Sequence, residues 1–547
     1  ADDEDHAQRI YDYASNLWFM FATPVLSNGG TKRGLPISCF LNYVDDSREG
    51  ITGHYTENAF LSSFGGGIGG TWSDVRSSGT RTSKGSESTG VIPFVKVVDA
   101  EMLAFSQGVT RRGSYAGYLN IDHPEIEEFL DVRKPTGGDT NRKCLNLHHG
   151  IIVSDKFMET IHLATKEPGY DDSWELIDPH SGEVKKTVSA KALWVKILQN
   201  RMESGEPYIM FEEAVNNELP DFQKRKGLRV HHSNLCSEIT LATNDERTAV
   251  CCLSSVNLEY YDEWKKIPAF IPDLIRFLDN VLESFINTAP KELKRAKYSA
   301  KRERSIGLGA MGFHAYLQKN MVSFESAVAA ALNDEIFSSI KNLADKETRR
   351  LAVERGACPD DDTCTVRNAH LLAIAPNASS SILCGNTSPS IEPFRANAFN
   401  QKTKSGSNLL KNKYLDELLM KKIGHTDLYN ETWRSIVVNK GSVQHLECLS
   451  EHEKDVFKTA VEINQAWLIE HAAERQQYIC QSQSLNLFFP PDVNKGDLHN
   501  IHMLAWAKNL KTLYYLRSEA ISRADEVSSQ AKREIIFEQS DCLSCEG

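Results

Sequence analysis

No apolar run in the chain approaches the roughly 18 residues that a membrane-spanning helix needs, so membrane association is not expected. Basic charge is also short: 62 Lys+Arg stand against 74 Asp+Glu, a net charge of −12. That balance gives no overall positive field to hold a nucleic-acid backbone, and an anionic small ligand would need a local site. Cysteine is too sparse for a disulfide scaffold, 12 in 547 residues, so in a reducing compartment these side chains are thiols unless their chemistry is redox. Linkers are missing too. No Pro/Gly/Ser-rich or charged stretch divides residues 20–520, no repeat of fixed period is present, and the Ser/Gly/Thr run at 77–90 reads as a loop. One large domain, or tightly fused ones, is expected. The acidic start, Ala1 to His6, lacks the basic and apolar regions of a secretory signal, which points to a cytoplasmic protein.

What is present is an alternation of helical and extended patterns. Ile271, Leu274, Ile275, Leu278, Val281, Leu282 and Phe285 form an i, i+3, i+4, i+7 stripe with Pro272 in its first turn. A second long helix is expected from Phe324 to Arg355, stopped by Gly356 and Pro359. Asp122-His-Pro-Glu125 reads as a capped helix start, with the helix ending before Pro135. β-rich runs at 150–153, 249–253 and 484–489 lie between such helices. The class is α/β.

Several constellations could carry chemistry. In an extended segment Asn234, Cys236 and Glu238 share one face, placing an amide, a thiol and a carboxylate in one space. That set suits a reactive cysteine beside a general base, although a half-buried strand with a polar outer face has the same spacing. Cys39 and Cys251 each sit in a short apolar run, where a cysteine often acts only as a small hydrophobe, and Cys252 beside Cys251 faces the other way. Cys542 and Cys545 form a CxxC on a C-terminal arm with little to bury, suited to redox shuttling; a structural zinc would need two more ligands. Gly307-Leu-Gly309-Ala-Met-Gly312 matches GxGxxG, but it follows a charged segment and no acidic residue is placed for a ribose. The glycines from Gly65 to Gly70 lack the Lys-Ser/Thr of a P-loop and read as tight packing. Asn377, Ala378, Ser379, Ser380 and Ser381 precede an apolar run, as at a helix N-terminus able to hold phosphate.

Taken in order, Thr23-Pro24, Ser38-Cys39, Asn234-Leu-Cys236-Ser-Glu238, Ala249-Val-Cys251, the 376–381 run, Ser390-Ile-Glu-Pro393, Tyr514-Tyr515 and Cys542-x-x-Cys545 strongly resemble the large (α, catalytic) subunit of class I ribonucleotide reductase. The resemblance implies a ten-stranded α/β barrel with Cys236 on a central finger loop. It places a short lead-in at 1–20, the catalytic barrel with its effector site at 21–530 and a redox-active tail at 531–547. The implied reaction is reduction of ribonucleoside diphosphates at C2′. Cys236 carries a thiyl radical, Glu238 takes the 3′-OH proton, Asn234 holds the sugar, and Cys39 and Cys251 become a disulfide that Cys542 and Cys545 reduce. Thr23, Ser38, Asn377, Ala378, Ser379 and Ser380 would touch substrate. Asp46, Ser47 and Arg76, with the loop at 106–112, would bind a dNTP or ATP effector, with magnesium accompanying it, near an α homodimer contact. Tyr514 and Tyr515 imply electron transfer from a metal-containing, radical-bearing β subunit, and thioredoxin or glutaredoxin as reductant. No metal or cofactor is expected in this chain itself. The chain is similar to short, phage-encoded members without the N-terminal ATP-cone. Two other readings stay open: a cobalamin-dependent class II reductase, and an inactive nucleotide-binding regulatory homologue.

Overall fold

Short runs that are buried almost without interruption form strands covered on both faces, the pattern of a parallel sheet wrapped by helices. The computed structural model describes residues 1–31, 34–37, 39–107, 111–403 and 406–518. Its main sheet holds strands β1 (Phe19–Phe21), β2 (Cys39–Tyr43), β3 (Gly67–Thr71), β4 (Ser114–Asn120), β5 (His148–Val153), β6 (Tyr208–Phe211), β7 (Ala249–Asn257), β8 (Ile306–Met311) and β9 (Thr512–Leu513). Strands β2 to β6 run parallel in chain order. Helices such as Arg48–Ser63, Ile92–Ala104 and Ala190–Ser204 make the crossovers that parallel pairing requires.

Strand β7 turns the sheet over. It pairs antiparallel with β2 and with the short β1, and parallel with β8. At the other edge β9 lies antiparallel to β6. Single bridges from Leu308 to Leu372 and from Ile374 to Gln483, and a 2.9 Å bond from Tyr514 N to Leu485 O, carry the ring from β8 through two further segments to β9. The described sheet is thus a curled part-barrel of nine strands rather than the ten expected, with the segments at 372–374 and 483–485 joined to it by single bridges.

Local expectations mostly hold, with instructive departures. The apolar stripe forms the helix Phe270–Thr288, its seven stripe residues all buried. The long helix starts at Ala327 rather than Phe324, because Ser326 caps it by accepting from Ala329 N, and it ends at Gly356 with φ 87°. The helix expected after Asp122 is only Ile126–Phe129: the Glu125 carboxylate accepts instead from Val91 N at 2.7 Å, at the start of a neighbouring helix. The 484–489 run is a strand only from Leu487 to Phe489, paired with Leu516–Ser518. The GxGxxG run is itself a buried strand, β8, rather than a turn after one.

Residues 230–243 thread the interior without regular structure. Buried irregular backbone must find partners, and it does so on both halves of the barrel. His232 Nε2 lies 3.1 Å from Gly69 O, Tyr118 donates to Asn234 O at 2.8 Å, Ser482 N to Glu238 O at 2.9 Å and Thr512 Oγ1 to Ser237 O at 2.7 Å. The close approach needs Gly69. A Cβ there would stand 2.1 Å from Ser233 O and 2.9 Å from Asn234 Cα, both backbone atoms that cannot rotate aside. Gly69→Ala is therefore expected to push the finger loop off β3 at a cost of about 1–3 kcal/mol, and an unchanged thermal midpoint would contradict the packing described.

Candidate active site

The loop tip is a turn, not the extended run that face-sharing assumed. Ser237 adopts φ 65° and its N–H reaches back to Asn234 O, so Cys236 is presented at the apex. Asn234, Cys236 and Glu238 are nevertheless gathered and wholly buried. Asn234 Oδ1 accepts from Ile239 N at 3.2 Å, and its Nδ2 has no hydrogen-bond partner among the described residues. The Ser484 hydroxyl sits 2.6 Å from Cys236 O and 3.1 Å from Glu238 Oε2, fixing the carboxylate relative to the thiol's own backbone. A donor amide and a carboxylate on either side of a buried thiol can hold one hydroxyl of a bound molecule and take a proton from another.

Behind Cys236 runs a line of phenols. Tyr514 donates to Cys236 Sγ at 3.5 Å, and its ring centroid is 4.3 Å from that of Tyr515. Tyr208 packs against both, at 4.8 and 5.0 Å. Tyr515 OH lies 3.2 Å from His148 Nδ1, which with Arg133 Nη1 crowds the Glu206 carboxylate at 2.6 and 2.8 Å. Burial alone would raise Glu206, yet Arg133 and His148 hold it well below the usual carboxylate range. The Arg517 guanidinium stacks 4.2 Å from the Tyr515 ring.

Cys39 and Cys251 are directly opposite each other in the β2–β7 ladder, both buried. Cys252 faces the other way and is absorbed into the main core. Burial pushes the Cys251 thiol well above its ordinary range, and a bond from Gln481 Nε2 to its sulfur at 3.5 Å works in the opposite sense. Ala22 and Ala375, chain neighbours of Thr23 and of the 376–381 run, pack in one apolar cluster with the two thiols. Thr23 opens the helix Thr23–Asn28, and Ala378, Ser379 and Ser380 open the helix Ala378–Leu383. Asn377 caps that second helix in the left-handed region, its side chain already bonded to Ser255 Oγ, Ala310 O and Ala375 O.

At the expected effector region, Asp46 receives Arg76 Nε at 2.9 and 3.1 Å. Ser47 instead caps the helix Arg48–Ser63, accepting from Gly50 N at 2.9 Å. His180, 3.1 Å from Asp46, was not legible in the sequence: Asp178 folds its turn by accepting from His180 N and Ser181 N. Ser38, Cys542 and Cys545 lie outside the described residues. Among the described residues no His/Cys/Asp/Glu group could hold a metal, and no helix is long and apolar enough to cross a membrane.

The barrel holds an apical thiol and a facing pair of thiols inside the fold, side chains suited to redox chemistry. Comparison with known proteins narrows this. A family model described as "Ribonucleotide reductase, barrel domain" matches residues 37–363 and 362–516, and "Ribonucleotide reductase, all-alpha domain" matches residues 1–34. The ribonucleoside-diphosphate reductase large subunit of Invertebrate iridescent virus 3 is 45% identical over 594 residues, spanning 100% of this chain and 93% of that protein. A putative large subunit of Frog virus 3 is 47% identical, spanning 99% and 92%. The solved class Id ribonucleotide reductase alpha subunit of Actinobacillus ureae is 36% identical with a TM-score of 0.83, covering 95% of this chain and 91% of that one. The chain belongs to the ribonucleotide reductase family and takes its place among the large, alpha subunits.

Proposed function

We propose that the chain reduces ribonucleoside diphosphates to 2′-deoxyribonucleoside diphosphates by a thiyl-radical route. The observation that carries the proposal is the contact of Cys236 Sγ, at the tip of the finger loop, with the Tyr514 hydroxyl, together with the Ser484 hydroxyl that joins the Cys236 carbonyl to the Glu238 carboxylate. An electron and proton leaving Cys236 through Tyr514 and Tyr515 turn the thiol into a hydrogen abstractor for C3′ of the ribose. Glu238 takes the 3′-OH proton, Asn234 Nδ2 holds a sugar oxygen, and the 2′-hydroxyl departs as water. Cys39 and Cys251 supply two electrons and two protons, one proton leaving with the 2′-hydroxyl as water and the other hydrogen ending on C2′, and become a disulfide; return of the hydrogen from Cys236 to C3′ and of the proton from Glu238 to the 3′-oxygen regenerates the radical. The effector, a dNTP or ATP with magnesium, binds at Asp46 and Arg76 near the contact of two such subunits.

In this scheme a radical-bearing small subunit, thioredoxin or glutaredoxin and the dithiol Cys542/Cys545 complete the cycle. The double variant Cys542→Ser/Cys545→Ser should lose multiple turnovers with a thioredoxin-type reductant while prereduced enzyme still makes about one product per site, because only exchange with the tail is removed. Quantifying deoxynucleotide after rapid mixing checks this. Loss of the first turnover would assign the tail another task.

A further inference from the structure

One neighbour of the phenol pair has no part in the reaction scheme. Glu206 is a buried carboxylate just ahead of β6, and His148 and His149 open the adjacent strand β5; Glu206 and His148 each stand two positions before the paired Tyr208 and Gly150. Arg133 Nη1 donates to Glu206 Oε1 at 2.8 Å, and His149 offers Oε2 its backbone N–H at 3.1 Å and its Nδ1 at 3.0 Å. A buried carboxylate needs such donors, and these already hold it. His148 adds a further contact, Nδ1 to Oε1 at 2.6 Å, and the same nitrogen stands 3.2 Å from the Tyr515 hydroxyl. An ionised carboxylate only accepts, so a ring nitrogen that close to it carries a proton. Arg133 Nη1 is 2.9 Å from that nitrogen, but the charged Glu206 Oε1 is its stronger acceptor. With Nδ1 protonated, the Tyr515 oxygen meets it as acceptor, and the phenol's own proton is left for another partner.

We propose that His148 is a positioning residue for Tyr515: held by Glu206, its Nδ1–H donates to the phenolic oxygen and turns the Tyr515 O–H away from the imidazole, into the exchange with Tyr514. The inference rests on the reading of the two tyrosines as the electron path. In that exchange one electron and one proton leave the Tyr514 hydroxyl for the Tyr515 phenoxyl; the Tyr514 O–H bond breaks, the Tyr515 O–H bond forms, and Tyr514 is left as the radical. His148 gives up no hydrogen. It fixes where the Tyr515 oxygen points while the transfer occurs, and a transfer of this kind is sensitive to the alignment of its reacting atoms.

The test has two arms. The full chain labelled with ¹⁵N-histidine is studied by NMR, the His148 signals being those absent from His148→Gln. Nδ1 is expected to carry a proton, and a bare Nδ1 would overturn the proposal without any assay of activity. Turnover of CDP is then measured with a class I β subunit. His148→Phe keeps a ring edge-on to Tyr515, where the imidazole centroid lies at 6.1 Å and 81°, and leaves Glu206 its bonds from Arg133 and His149. It should lower kcat about five- to tenfold, the worth of one hydrogen bond, while KM for CDP holds. His148→Gln, which keeps an N–H donor, should recover most of the loss. An unchanged kcat in His148→Phe that still binds CDP, or a kcat no higher in His148→Gln than in His148→Phe, would overturn the assignment. Failure of the underlying reading shows separately, as activity with β retained in Tyr515→Phe.

Discussion

Replacing Cys236 by serine should abolish turnover to background while leaving nucleotide binding and the fold in place. The side chain is fully buried at the loop apex, and exchanging sulfur for oxygen there costs about 1 kcal/mol, an ordinary value for a single substitution. The surrounding bonds run through the Cys236 backbone and through Glu238, Ser484 and Tyr118, none of which the exchange removes. What is lost is the readily oxidised S–H in contact with Tyr514. Calorimetric titration with a nucleoside diphosphate and a product assay separate the two effects; measurable deoxynucleotide above background in Cys236→Ser would refute the radical assignment.

Tyr514→Phe and Tyr515→Phe should each be equally silent in the assay for a different reason. A phenol with pKa near 10 gives up an electron readily only if its proton leaves with it, so the hydroxyl is required and the ring is not sufficient. Both rings stay packed against Tyr208, and the hydrogen bond lost to Cys236 Sγ or to His148 Nδ1 is worth about 1 kcal/mol. Folded, nucleotide-binding proteins without activity are expected when a class I β subunit is added. Retained activity with β would break the proposed path, and activity with adenosylcobalamin alone would move the protein to class II.

Much of the site was legible because chemistry concentrates in short runs. Spacing brings Asn234, Cys236 and Glu238 together but leaves a polar strand face equally open, and their catalytic reading comes from the family resemblance; a turn with positive φ at Ser237, not an extended strand, gathers them. Cys39 and Cys251 could be placed in strands, but that they face each other is a fact of register between segments far apart in the chain. Gln481, Ser484, Tyr118 and Tyr208 gave no local signal, since each is an ordinary strand-like or loop residue until the barrel closes. The two glycine-rich runs lie in buried strands, where Gly69 admits the finger loop and Gly307 makes room for Leu253 and Cys251 Sγ. Asn377 shows the converse limit, since its position at a helix start was readable but the commitment of its side chain to Ser255, Ala310 and Ala375 was not.

The most direct measurement is formation of dCDP from CDP by this chain with a class I β subunit, ATP and dithiothreitol, run beside Cys236→Ser. The account requires dCDP that depends on β and vanishes in the variant. No product with competent β, or product that survives loss of the Cys236 thiol, would contradict it.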